Sequence, residues 1–183
     1  MRAPTTRTCI LLVTVTAVML GWAGETHAHK DGKGKPPPEV PYELLDNGQY
    51  SNIATELLAV VRDQDAWNAL WSEHAVGAPP AVDFANELVV GIFLGDRGTT
   101  AYTVRIDRIV EIEPATPRTD ENGDVITDPD YFVAFVEEIR EGIASDLMTR
   151  PFVIAVMPTT DGEILFGWDV VTLKGKHGKD KNR

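Results

Sequence analysis

From Glu87 to Leu173 the apolar residues of this chain recur at every second position or in short unbroken runs, a pattern that a β-sheet buries and a helix does not. Tyr102 to Ile112 is the clearest case. Tyr102, Val104, Ile106, Val110 and Ile112 fall on one side and Thr103, Arg105, Asp107 and Glu111 on the other, with Arg108 alone breaking the apolar side. Glu87 to Leu94 is apolar on both faces and reads as a central strand. Tyr131 to Val136 and Phe152 to Met157 are further apolar strands, and Ile164 to Leu173 alternates again, with Ile164, Phe166, Trp168 and Val170 on one face. The turn-forming Thr159-Thr160-Asp161-Gly162 predicts that the last two strands form a hairpin.

Upstream, Asp46-Asn47-Gly48 is a turn signal, with a short first strand over Gln49 to Ile53 and a second over Leu57 to Val61. Asp63 then offers a carboxylate to the unpaired N–H groups of a helix start. Behind it Trp67, Leu70, Trp71 and His74 share one helical face, and Gly77-Ala78-Pro79-Pro80 ends the helix. Glu137 to Met148 carries Ile139, Ile143 and Leu147 at helical spacing around Gly142, and is assigned a loop with a helical turn. The expected architecture is α+β: a mostly antiparallel sheet of six or seven strands over residues 42–173, with one amphipathic helix packed on one face. Trp67, Leu70, Trp71 and Phe84 are assigned to the core between helix and sheet, since tryptophan at helical spacing beside leucine is a packing pattern.

The flanks differ from this body. Arg2 and Arg7 precede an apolar run from Ile10 to Ala23, too short for the about 20 residues that span a bilayer, and Ala28 is a small residue at a cleavage position. Residues 1–28 thus read as a Sec-type signal peptide, which makes the protein secreted or periplasmic, with no membrane-spanning segment after cleavage. Cys9 lies before the apolar run, so the lipoprotein arrangement is not met, and the mature chain lacks cysteine. Disulfides, thiol catalysis and thiolate metal sites are then excluded together. Residues 29–41 are basic and proline-rich, a disordered linker by composition, and 174–183 form a basic, glycine-spaced tail. Between the arms, residues 40–173 hold 7 Arg and no Lys against 24 acidic residues, a surplus of 17 negative charges. An acidic body argues against a nucleic-acid partner.

Chemistry is sparse. His74 is the body's one histidine and is read as a boundary residue at the helix end, near the negative pole of the helix dipole. A Ser-His-Asp set with Ser72 or Ser145 is formally possible, yet the chain has no Gly-x-Ser-x-Gly elbow. Asp120, Asn122, Asp124 and Asp128 form an oxygen-rich candidate loop for Ca²⁺, but EF-hand spacing fails and Asn122-Gly123 is independently a turn signal. No Walker loop or G-x-G-x-x-G occurs, and the reading assigns no cofactor.

Trp67-x-x-Leu70-Trp71-x-x-His74, Val82-Asp83-Phe84, the strand Val89 to Leu94 running into Gly95-Asp96-Arg97-Gly98-Thr99, Tyr102 to Ile106, and Arg150-Pro151 leading an apolar strand to Pro158 occur in an order that resembles the C-terminal domain of the PrcB family, named for the protease-complex subunit PrcB. The resemblance covers about residues 57–168. It departs from the family at Thr100-Ala101, where a Gly-Gly pair is usual, and in the long acidic segment from Glu113 to Asp130. It implies a non-enzymatic accessory domain that stabilises a partner protease in the cell envelope. The expected partner contacts are Asp96, Arg97, Thr99, Thr100 and Tyr102 in the loop after the central strand, and the exposed face bearing Arg105 and Asp107. The alternative is a small-molecule or carbohydrate-binding envelope protein that uses Trp67 and Trp71 as a platform; a third reading is a hydrolase with a carboxylate pair.

Overall fold

A computed structural model describes residues 36–113, 118, 119, 123, 125, 126, 129–141 and 145–174. The expected signal peptide and linker up to residue 35, residues 175–183 of the basic tail, and Asp120, Asn122, Asp124 and Asp128 lie outside the described residues.

The strands divide between two main sheets. The first is four-stranded and antiparallel: β1 (Glu43–Gly48), β8 (Phe152–Pro158), β3 (Glu87–Phe93) and β2 (Leu57–Val61), in that spatial order. The second contains β4 (Tyr102–Ile112), β7 (Asp130–Arg140) and β9 (Ile164–Leu173). A two-residue pair, β5 (Arg118–Thr119) with β6 (Val125–Ile126), completes the strands among the described residues. The class is α+β, but seven strands share two sheets instead of building one.

The reason lies in β3 and β8. Leu88, Val90, Ile92, Val153, Ala155 and Met157 pack in one cluster with Val104, Ile106, Ile109, Val133 and Phe135 of the second sheet. Val89, Phe93, Phe152 and Ile154 point the other way, into a cluster with Trp67 and Trp71 of the helix α1 (Gln64–His74). A strand apolar on both faces needs a cover on each. The result is three layers: helix, four-stranded sheet, three-stranded sheet. Asp63 caps α1 by accepting the Ala66 N–H at 2.8 Å.

Local expectations are corrected at several points. The first strand is Glu43–Gly48, not Gln49 to Ile53: Asp46, Asn47 and Gly48 pair with Ile154, Val153 and Phe152 across a register shift, so the turn-like triplet lies inside the strand. The end of the proposed linker is part of the fold. Val40 is buried and donates to the Ile109 carbonyl, and the Pro38 carbonyl accepts from Glu111. β7 continues through Glu137 to Arg140, where a loop was expected, because Glu137, Glu138 and Ile139 pair with Val104, Thr103 and Tyr102. In β4 a bulge lies between Ile106, opposite Phe135, and Arg108, opposite Ala134. The extra residue, Asp107, shifts the alternation, so Arg108 stays outside and Ile109 enters the core.

The last two strands do not form a hairpin. β8 already has β1 and β3 on its two edges, so the chain crosses to the second sheet and β9 pairs in parallel with β7, from Tyr131 opposite Ile164 to Arg140 opposite Leu173. The crossover is fastened. Arg62, at the end of β2, donates to the carbonyls of Thr160 and Gly162, and the Thr160 hydroxyl donates to the Pro129 carbonyl at 2.8 Å.

Candidate docking site

The loop that leaves β3 is built on a left-handed glycine. Gly95 has φ +69°, and a Cβ there would lie 2.7 Å from the Ala54 carbonyl oxygen. Only glycine meets both demands without strain. Asp96 then donates its N–H to Ala54, and Arg97 exchanges two backbone hydrogen bonds of 2.8 Å with Thr149. The Arg97 guanidinium turns inward. Its Nε donates to Glu137 at 2.9 Å, Nη2 to Glu56 at 3.0 Å and Nη1 to the Leu94 carbonyl at 2.6 Å, and its Cζ lies 5.8 Å from the Tyr102 ring centroid. Burial disfavours its charge, but the bonds to Glu137 and then Glu56 outweigh that, and its pKa is raised.

The neighbouring loop is tied to this one along its length. The Thr149 hydroxyl donates to the Thr99 carbonyl at 2.9 Å, Thr100 accepts from the Ser145 N–H at 3.1 Å, and Arg150 donates to Asp96 at 2.6 Å. Tyr50 bridges to Arg150, and Gln49 donates to the Thr100 and Tyr102 carbonyls. The expected contact residues Asp96, Arg97, Thr99, Thr100 and Tyr102 are therefore brought together, but Arg97 is spent inside the fold. Arg105 lies apart on the outer face of the second sheet. There it pairs with Asp107 at 2.7 Å and Glu138 at 2.8 Å, and these two bonds, in that order, raise its pKa.

What this end of the molecule presents is apolar. Tyr50, Leu147 and Met148 are each more than half exposed, and they flank the paired Thr149 and Arg150. Sequence reading missed them, although Leu147-Met148 between Asp146 and Thr149 is an apolar pair in an otherwise polar stretch.

His74 is buried, not at a boundary. Its Nδ1 lies 2.9 Å from the Ser51 hydroxyl, its Nε2 lies 3.3 Å from Asp46, and Trp71, Phe93 and Phe152 surround the ring with centroids 4.3–5.5 Å away. The serine that reaches the imidazole is thus Ser51. Ser72 instead donates to the Ala69 carbonyl, and Ser145 lies in the loop tied to Thr100. A nucleophilic set needs its hydroxyl open to substrate and its carboxylate sheltered behind the histidine. This one is reversed: Ser51 is 4% exposed and accepts the Ile53 N–H, whereas the Asp46 side chain is 38% exposed. The arrangement suits a fastening between β1, the following loop and the end of α1.

Trp67 and Trp71 are both sealed, with ring centroids 5.2 Å apart, and Leu70 and Phe84 pack against the same cluster. Neither tryptophan is a surface on which a sugar can stack. Among the described residues no group of three or more His, Cys, Asp or Glu is placed to hold a metal, and no helix is long and apolar enough to cross a membrane. No family model, curated protein or solved structure matches the chain.

Proposed function

We propose that the chain is an exported, non-enzymatic accessory protein whose folded body docks a partner protein of the cell envelope, such as a protease, and stabilises it. The carrying observation is the pair of fastened loops, 95–101 and 145–150, that holds Tyr50, Leu147 and Met148 exposed on a rigid base. Ordered apolar side chains at a loop end suit protein recognition, because little conformational entropy remains to be lost on binding. The order of motifs resembling the PrcB family supports the same reading, as does the burial of the histidine.

The test is site-specific photocrosslinking in the producing cell, with the probe at Met148 and, as control, at Ala69 on the exposed side of α1. A discrete adduct from position 148 and none from 69 is expected. No adduct at 148, or equal adducts from both, overturns the reading.

A further inference from the structure

The outer edge of β9 is a second surface, distinct from the docking loops, and we propose that it pairs two copies of this chain into a symmetric dimer. Among the described residues nothing pairs with that edge, and β9 is ten residues long. Trp168 and Val170 are at least half exposed, and Leu165, Val171 and Leu173 are each more than a third exposed. Soluble proteins blunt such edges with charges, prolines or short strands. Over Ile164 to Leu173 this strand has one charge, Asp169, and no proline.

Backbone direction fixes what the edge can bond. Tyr131 donates to the Glu163 carbonyl and Glu141 to the Leu173 carbonyl, so the odd-numbered residues of β9 face β7. The N–H and C=O of one residue point to the same side of a strand. Ile164, Phe166, Trp168, Val170 and Thr172 therefore direct their backbone groups to the outer edge, where the Asp169 carboxylate accepts the Val170 N–H at 2.8 Å.

These groups suit an antiparallel copy of the same strand. Centred on Trp168, such a pairing sets Trp168 opposite its own counterpart, Phe166 opposite Val170 and Ile164 opposite Thr172, every one an outward-bonding pair. On the other face Leu165 meets Val171 and Asp169 meets Gly167. Centring on Asp169 would put the two carboxylates face to face, which is destabilising. The favoured register also sends the chain leaving Leu173 of one copy past Asp161 and Glu163 of the other. That chain is the lysine-rich 174–183, and the body it meets carries the surplus of negative charge. Tail and body are complementary in sign.

The purified protein is examined by analytical ultracentrifugation, with Val170→Pro as the main variant. Proline removes the outward N–H of Val170, which the Asp169 carboxylate accepts at 2.8 Å within one chain and must release for pairing, and leaves every bond to β7 in place. Twice the single-chain mass is expected for the parent protein and the single-chain mass for the variant, with unchanged circular dichroism. If Val170→Pro fails to fold, Val170→Lys replaces it, with the same expected loss of the dimer. In a Cys9→Ser background, Leu165→Cys combined with Val171→Cys is expected to give a covalent dimer under mild oxidation, and each alone is not. A single-chain mass for the parent protein at about 100 μM, a concentration that populates even weak pairs, overturns the proposal, as does a folded Val170→Lys or Val170→Pro variant that remains dimeric. The photocrosslink at Met148 is read separately, so loss of one surface does not imply loss of the other.

Discussion

Arg97 and Glu137, forty residues apart in sequence, are joined by a 2.9 Å hydrogen bond that ties the loop after β3 to the middle strand of the second sheet. Both side chains are largely shielded from water. Removing the carboxylate leaves a guanidinium without its main buried partner, so Glu137→Ala is expected to cost about 3–5 kcal/mol in urea unfolding. Glu137→Gln keeps an acceptor and should cost less. Arg97 has a raised pKa, so its contribution is complete below the already high value of an unfolded arginine and is lost only as pH rises through the still higher folded one. The difference between Glu137→Ala and the parent protein should therefore not change from neutrality to about pH 10 on account of the arginine.

The two sealed tryptophans should respond differently to the same change. Trp67 donates its Nε1 hydrogen to the Pro80 carbonyl at 2.9 Å, whereas Trp71 Nε1 is buried with no partner among the described residues. Trp67→Phe leaves the Pro80 carbonyl without this donor, while Trp71→Phe removes an unpaired donor. The expected order of thermal stability is Trp71→Phe above Trp67→Phe, by about 1 kcal/mol. Truncating Trp67 to alanine should cost about 3–5 kcal/mol, and a loss below about 1 kcal/mol would contradict its place in the core.

Ser51 and His74 act as a fastening, so Ser51→Ala should weaken the fold by about 1–3 kcal/mol by stranding the imidazole Nδ1 and the Ile53 N–H. A fluorophosphonate probe should leave Ser51 unlabelled in the native protein. Stoichiometric labelling would show that the hydroxyl is presented to substrate after all.

Gly95→Ala should destabilise the loop after β3 by more than the about 1 kcal/mol typical of a left-handed position, since the new methyl group also meets the backbone at Ala54 and Thr55. Hydrogen exchange is expected to quicken at Asp96, Arg97 and Thr149 before it quickens at Val90 or Ile154.

Much of the fold was legible because burial imposes a period. Tyr102 to Ile112 and Ile164 to Leu173 were located from alternation, Leu57 to Val61 from a compact apolar run, and Asp63 from the chemistry of an unpaired helix start. The failures share a cause: pairing partners are not local. Nothing near Phe152 says that β1 and β3 will occupy both its edges, so Thr159 to Gly162 looked like a hairpin turn. Asp46-Asn47-Gly48 has the chemistry of a turn, and only its alignment with Phe152 to Ile154 makes it strand. The alternation in β4 carried its own irregularity at Arg108, which is the trace a bulge leaves in sequence.

The site was legible as a place and not as a chemistry. Asp96 to Tyr102 lie together, but spacing does not show that Arg97 meets Glu137 and Glu56, since those partners come from within β7 and from the residue before β2. The exposed Leu147 and Met148 belong to a stretch whose helical spacing competed with the strand that precedes it.

The parallel pairing of β9 with β7 also sets an order of events during biogenesis. β9 has its partner far upstream and is not supplied by a neighbouring turn, so the rim formed by Tyr131 to Arg140 stays open until the chain has been made through Leu173. A chain stalled short of Ile164 would present that rim to any passing strand, and the cell's quality control meets the most adhesive form of this protein at that moment.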